Sequence, residues 1–162
     1  AMWNEVLPDT YTVNFVQAGQ PVISYTVEEG TDFTAIPNTA AKTGYTVTWN
    51  ADELAQLSNI QSNVTINAVE TANTYTVTFN ANGGGTPSPT SKTVTYASTY
   101  GTLATVTRTG YTFKEWNTKS DGTGTKITSS SSVSITANQT LYAIWYGFSV
   151  ERIQTSEYNL SI

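Results

Sequence analysis

The chain has 162 residues, 38% hydrophobic and 12% aromatic, which is ample for a packed core, but only 12% are charged against roughly 25% in ordinary soluble domains. Its net charge of −5 and pI near 4.5 argue against nucleic acid or an anionic membrane as a partner, because both require a basic patch. Cysteine is absent, which excludes disulfides and thiolate metal sites, and no apolar run approaches the roughly 18 residues of a membrane span, so we expect no membrane insertion within this chain.

The first part of the chain has the alternating pattern of β-strands. After an N-terminal extension, residues 1–10, apolar residues alternate with threonine, serine and asparagine, which places the apolar set on one face of each strand. The segments with this pattern are 11–15, 23–27, 45–49 and the closing segment 65–69. We expect the first two to pair with each other.

One short segment favours a helix. Residues 51–57 have helical character, with Asn50 as the N-cap and acidic residues in the first turn. The composition and these elements together predict a mostly β chain of small α+β units.

The same landmarks then recur. Tyr11-Thr-Val-Asn-Phe15 returns as Tyr75-Thr-Val-Thr-Phe79, a shift of 64 residues (75 − 11). Other matched pairs are Phe33 with Tyr100, Ile36 with Leu103, Lys42 with Arg108, Gly44 with Gly110, Trp49 with Trp116, and Thr65–Val69 with Thr140–Ile144. We therefore predict a first module at 11–72, a second at 73–147 with a polar insertion at 119–132, and a C-terminal extension or next element at 148–162.

The third strand of the second module carries one extra residue. Gly44 and Trp49 are five residues apart, whereas Gly110 and Trp116 are six apart (49 − 44 and 116 − 110). Because side chains alternate along a strand, the extra residue would turn Trp116 away from the core. We predict a β-bulge near residues 114 and 115 that restores its direction.

The second module resembles the internalin B-repeat family. The resemblance is carried by YTVTFNANGG, by TVTY with STYGTL, by RTGYTFKEWNT and by ITANQTLYAIW, although Glu115 stands where that family has glycine before the tryptophan. The resemblance implies tandem β-grasp-like, ubiquitin-like modules of secreted or wall-attached bacterial proteins, related to mucin-binding repeats. It further implies that the first and last strands of each module run parallel at the centre of the sheet.

Catalytic residue types are scarce. Histidine and cysteine are both absent, so the commonest general base, metal ligand and thiol nucleophile are missing. The acidic pairs Glu28-Glu29 and Asp52-Glu53 are sequence neighbours that point apart, unlike a glycosidase pair. We expect no enzyme activity, no cofactor and no metal site.

The sequence contains residue types for two other chemistries. Asp121 lies beside glycines in the loop 119–125, but calcium loops present several acidic ligands, and a polar turn is the favoured interpretation. Lys114, Glu115 and Asn117 have the residue types of an isopeptide crosslink but lie too close in one strand to converge.

Aromatic side chains are the remaining candidates for a binding surface. Six of them could form a sugar-stacking platform, although a core role is favoured; they are Tyr45, Trp49, Tyr111, Trp116, Tyr142 and Trp145. Tyr100 and Tyr146 are the predicted surface-exposed ligand contacts.

The favoured function is therefore a non-catalytic repeat region of an extracellular bacterial surface or cell-wall protein, acting as a stalk and in adhesion. Its predicted partners are a host glycoprotein, mucin or glycan, and neighbouring repeat modules. The alternative is an accessory carbohydrate-binding module of a secreted enzyme, which would present an exposed coplanar row of aromatic residues.

Overall fold

A computed structural model describes residues 3–147, and the chain divides into two compact units, one ending at Thr74 and the other beginning at Tyr75. The predicted extension at 148–162 lies outside the described residues. No helix in the described part is long and apolar enough to cross a membrane.

The first unit is a four-stranded sheet with one short helix. Its strands are β1 (Thr10–Val16), β2 (Ile23–Glu28), β3 (Tyr45–Trp49) and β4 (Val64–Ala72), and helix α1 (Ala51–Leu54) continues into a 3-10 turn at Ala55–Leu57. The order across the sheet is β2-β1-β4-β3. The strand segments, the pairing of β1 with β2 and the mostly β, small α+β class are all confirmed.

The helix begins where the sequence predicts. The side-chain oxygen of Asn50 accepts hydrogen bonds from the backbone N–H groups of Asp52 at 3.0 Å and Glu53 at 3.2 Å. These bonds satisfy two donors that lack partners inside the helix, and the two acidic side chains favour the positive end of its dipole.

The core of the first unit is built around one phenylalanine. Phe15 is fully buried, and its ring centroid lies 5.1 Å from that of Trp49, 6.0 Å from Phe33 and 6.1 Å from Tyr25. Burial of a phenylalanine side chain stabilises a fold by about 2–3 kcal/mol, and aromatic pairs add to this. A small unit without disulfides depends on such large side chains.

The second unit has the same plan with one more strand. Its strands are β5 (Thr74–Asn80), β6 (Ser91–Thr95), β7 (Tyr111–Asn117), β8 (Lys126–Ile127) and β9 (Gln139–Gly147), in the order β6-β5-β9-β7-β8. The insertion predicted as a polar stretch at 119–132 contains β8, whose Ile127 is buried. Periodicity could not reveal a strand of two residues.

In each unit the first and last strands pair in parallel at the centre of the sheet. In the first unit Val13 lies opposite Val64 and Val16 opposite Asn67. In the second, Val77 lies opposite Gln139 and Asn80 opposite Tyr142. The parallel central pair implied by the family resemblance is therefore confirmed in both copies.

The predicted bulge is present in β7. Phe113 lies opposite Trp145, Glu115 lies opposite Ile144, and the register shifts between Phe113 and Glu115. Trp116 consequently points into the core, where it is only 2% exposed and lies 4.8 Å from the ring of Phe79.

A hydrogen bond from a core tryptophan recurs at the same place within each unit. The indole N–H of Trp49 donates to Pro37 O at 2.7 Å, and that of Trp116 donates to Ala104 O at 3.0 Å. Both bonds hold the irregular segment before the third strand against the core.

An asparagine at the start of the last strand has the same role in each copy. Asn63 Oδ1 accepts from the backbone N–H of Thr12 at 2.8 Å, and Asn138 Oδ1 accepts from that of Thr76 at 2.9 Å. These side chains therefore join the ends of the two central strands.

Replacing Asn138 with alanine should lower the free energy of unfolding of the second unit by about 1 kcal/mol, since the Thr76 N–H loses its acceptor. Asn138→Asp keeps an acceptor oxygen and should retain most of the stability. Urea unfolding followed at NMR signals of β9 would measure both variants. An equal loss in both would mean that the amide oxygen is not what stabilises the strand ends.

Candidate functional site

Tyr100 is not a surface residue, and the prediction of its exposure is wrong. It is 3% exposed, and its hydroxyl donates to Gln139 Oε1 at 2.7 Å. Burial raises the pKa of Tyr100 above its usual value. The backbone N–H groups of Ala97 and Tyr100 donate to Val133 O and Ser131 O, and these bonds hold the segment over the core. The match of Tyr100 to Phe33, a core aromatic, could have revealed this.

Tyr146 lies on the surface as predicted. It is 56% exposed on the face of β9 opposite to the core, and the Nζ of Lys114 lies 5.5 Å from its ring centroid. Its role in ligand binding stays a prediction.

The other candidate aromatics are divided between core and surface. Trp116 is buried, whereas Trp49 and Trp145 are partly buried against their cores. Tyr111 is 43% and Phe113 38% exposed, on the face of the sheet opposite to that of Tyr146. These exposed rings therefore do not form the single row that the carbohydrate-binding alternative requires.

The loop after β7 is organised by a buried amide. Asn117 is 1% exposed, accepts from the Lys119 N–H at 3.0 Å and donates to Glu115 Oε1 at 3.0 Å. The Nζ of Lys114 lies near the ring of Tyr146 on the surface, and no bond between Lys114 and Asn117 is present. The three residues thus do not assemble an isopeptide site.

Asp121 closes a turn in this loop. Its Oδ1 accepts from the backbone N–H of Thr123 at 2.9 Å and from the Thr123 hydroxyl at 2.7 Å, and these two bonds hold the pKa of Asp121 below its usual value. Within residues 3–147 no three acidic or other ligating side chains cluster to hold a metal ion. The geometry is that of the polar turn.

A recess in the first unit has an apolar floor. It encloses about 250 Å³ over Phe15 and Trp49, beside the loop that carries Gln17. Both ends of the Gln17 amide bond the backbone of Ala40 at 2.8 Å, and the Trp49 N–H donates to Pro37 O. These polar groups are already engaged, so they add little directional recognition.

A cation over an aromatic ring precedes the third strand in both units. The Nζ of Lys42 lies 4.6 Å from the ring centroid of Tyr45, and the Cζ of Arg108 lies 3.7 Å from that of Tyr111. In each case the tyrosine N–H donates back to the carbonyl of the cationic residue, at 3.0 Å and 3.1 Å. The glycine before each tyrosine has φ of 78°, a left-handed conformation that glycine adopts without strain.

The segments 42–45 and 108–111, here called the corners of the two units, differ in how the cation is neutralised. Lys42 forms an ion pair with Glu70, and this hydrogen bond raises the pKa of Lys42 above its usual value. The residue matched to Glu70 in the second unit is Trp145, because Ala68 aligns with Ala143. Among the described residues, no carboxylate lies within ion-pair distance of Arg108.

Arg108 borders a recess of about 310 Å³ beside Tyr111, Trp145 and Asp121. Asn82, in the turn after β5, forms another wall, and a Cβ at the next residue, Gly83, would lie only 3.2 Å from the Cζ of Arg108. The indole N–H of Trp145 donates to Ala81 O at 3.0 Å, which fixes the turn to the sheet. The guanidinium is thus held between a ring and a close backbone. No sequence signal identified this recess beforehand.

Gly84 should be the position in this turn least tolerant of a side chain. A Cβ there would lie 2.5 Å from Cζ2 of Trp145 and 3.0 Å from Thr107 O, whereas a Cβ at Gly85 would make ordinary contact at 3.5 Å. We expect Gly84→Ala to destabilise the second unit by about 1–3 kcal/mol and Gly85→Ala by much less. Urea unfolding of the two variants checks the difference, and equal stabilities would contradict the packing.

Thr123→Val should move the pKa of Asp121 upward, because the hydroxyl bond is lost while the backbone bond remains. Because the pKa is lowered, this contact stabilises the loop at pH values above the ordinary aspartate pKa of about 3.9. The stabilisation is lost as the pH falls through the pKa of the folded state. Carboxyl-carbon NMR titration would measure the shift. Thr125→Val is the matched control, and a shift of similar size in the control would contradict the assignment.

Both units match one protein family. Searches of curated proteins and of solved structures give no significant match. Residues 11–71 and 75–144 each match the Listeria-Bacteroides repeat domain, and the narrower resemblance to internalin B-repeats stays a prediction. The two matches cover most of the chain and coincide with the two sheets. The chain therefore belongs to the Listeria-Bacteroides repeat family, as a two-copy repeat region of a bacterial surface protein.

Proposed function

We propose that the two units are non-catalytic stalk modules, exposed outside the cell on the bacterial surface or cell wall, which transmit tension between the parts of the protein that they connect. The observation that carries this proposal is the parallel pairing of the first and last strands in each unit. A chain that enters along β1 and leaves along β4 passes from one end of the sheet to the other.

The pairing also determines how a pulling force acts. Force applied at the start of β1 and the end of β4 slides the two strands past each other, so all the hydrogen bonds between them are strained together. In an antiparallel hairpin pulled at its open end, the bonds break one after another. The geometry therefore favours resistance to tension along the chain.

The dimensions suit a spacer. From the level of Thr10 to Ala72 the paired strands span about 11 residue steps, or about 36 Å at roughly 3.3 Å each. The span from Thr74 to Gly147 is also about 11 steps. Each module of the array would thus add a few nanometres of reach.

The absence of catalytic residue types supports the non-catalytic part of the proposal. The whole chain lacks histidine and cysteine, and Asp121 is engaged in its own turn. Adhesion to a host glycoprotein, mucin or glycan is a second proposed activity of the same region. The exposed Tyr146 is its sequence-derived candidate contact.

Pulling the whole chain from its ends should give two separate unfolding events. The first unit should lengthen the chain by about 190 Å and the second by about 230 Å. These lengths follow from about 62 and about 73 residue steps of up to 3.6 Å each, from which the folded span of about 36 Å is subtracted. Single-molecule force spectroscopy measures both lengths. Gradual extension without discrete events would contradict the stalk role.

The direction of pulling provides the matched control. Because the chain has no cysteine, handles can be attached through Thr10→Cys with Ala72→Cys, or through Thr10→Cys with Glu28→Cys at the open end of the antiparallel β1–β2 pair. The first attachment should need a several-fold higher force. Equal forces would show that the central parallel pair does not provide the resistance.

A further inference from the structure

The second unit holds the guanidinium of Arg108 without a carboxylate partner among the described residues, whereas the matched cation of the first unit has one. At the matched corner of the first unit, Glu70 pairs with Lys42. In the second unit Trp145 occupies the position of Glu70, and Arg108 lies over Tyr111 with no carboxylate within ion-pair distance among the described residues. The two copies thus differ in the one group that would satisfy the cation.

The guanidinium is also pre-organised. The ring of Tyr111 lies 3.7 Å from its Cζ, and Gly83 approaches so closely that a Cβ there would lie 3.2 Å from that atom. Arg108 is half-buried and donates no hydrogen bond to any other described residue. A planar guanidinium held in this way can donate two parallel hydrogen bonds to a carboxylate at low entropic cost.

The groups around Arg108 define the rest of the ligand. Tyr111 and Trp145 offer aromatic surface, while Ser120 and Asp121 offer a hydroxyl and a carboxylate at the other side of the recess. The Oδ2 of Asp121 accepts no hydrogen bond from the described residues. Such an oxygen accepts from ligand hydroxyls, and aromatic surface packs on the C–H face of a sugar ring.

Charge excludes polyanions. The recess contains one cation and one carboxylate, and the chain carries a net charge of −5, so a phosphate group or a densely sulfated chain would be repelled. A ligand with one carboxylate at Arg108 and neutral hydroxyls at Asp121 meets both charges. The volume of about 310 Å³ is at the small end of ligand sites and suits a single ring.

We propose that the recess bordered by Arg108, Tyr111, Trp145 and Asp121 binds a carboxylate-bearing pyranose, with the carboxylate on the guanidinium and the ring over the aromatic surface. This inference deepens the adhesive part of the proposed function and rests on it. The stalk role is tested separately by the force measurements, so failure of one leaves the other measurable.

The test is an NMR titration of the full 162-residue chain with four probes. The carboxylated probes are glucuronic acid and N-acetylneuraminic acid, which represent two sources of the same chemistry, and the others are methyl glucoside and acetate. At least one carboxylated sugar should bind, with shifts centred on the turn at 81–85 and the end of β9, and should bind at least ten-fold more tightly than either control. Added salt should weaken that binding.

Variants separate the recess from the rest of the surface. Arg108→Gln should weaken binding of the preferred sugar by about ten-fold or more, which corresponds to about 1.4 kcal/mol, whereas the matched change Lys42→Gln should leave it within about two-fold. Arg108→Lys keeps the charge but cannot donate two parallel hydrogen bonds, so its affinity for the sugar should be intermediate. Asp121→Asn should weaken binding of the sugar but not binding of acetate. The dispersion of each variant's spectrum reports that it is folded.

Four outcomes would overturn the proposal. Binding of methyl glucoside as tight as that of the acids would remove the role of Arg108. Binding of acetate as tight as that of the sugars would show a general anion site. An undiminished affinity in folded Arg108→Gln would place the ligand elsewhere, and the absence of any binding at millimolar concentration would mean that the recess has no such ligand.

Discussion

The parallel pair of central strands is the constraint on which the rest of each unit depends. Two parallel neighbours cannot be joined by a tight turn, so the chain between β1 and β4 must cross the sheet before it returns. That crossing supplies both outer strands, the short helix and the irregular segment which covers the core. The residues on the covered face of the central pair, Val13, Phe15 and Ile66 in the first unit, are fully buried.

The second copy shows how the same plan accepts change. Its insertion adds β8 beside β7, and a bulge keeps Trp116 in the core despite an extra residue. The hydrogen bonds from the two indoles, and those to Asn63 and Asn138, persist in both copies because they join the crossing segment and strand ends to the sheet. The parts free to differ lie at the loops and corners, and the recess beside Arg108 is built there.

The proposed stalk role and the proposed binding recess make compatible demands on such a unit. Resistance to tension depends on backbone hydrogen bonds between the central strands, whereas recognition depends on side chains at the end of β9 and on the preceding turns. Glu70 of the first unit and Trp145 of the second occupy matched positions. This difference changes the charge of a corner and leaves the hydrogen bonds between the central strands unchanged. Repetition would therefore let one copy carry the proposed site while the other keeps its Lys42–Glu70 ion pair.

The sequence alone determined the repeat, the strand segments, the Asn50 cap and the bulge, because these follow from local periodicity and from comparing two copies. It misplaced Tyr100, since a tyrosine in a polar loop has no local pattern that separates surface from core; the hydrogen bonds to residues 131 and 133 decided that. Only the tertiary structure showed β8 and the recess at Arg108. A strand of two residues carries no periodicity, whereas the recess joins residues distant in the chain, and whether a cation there has a partner depends on which side chains the fold brings beside it.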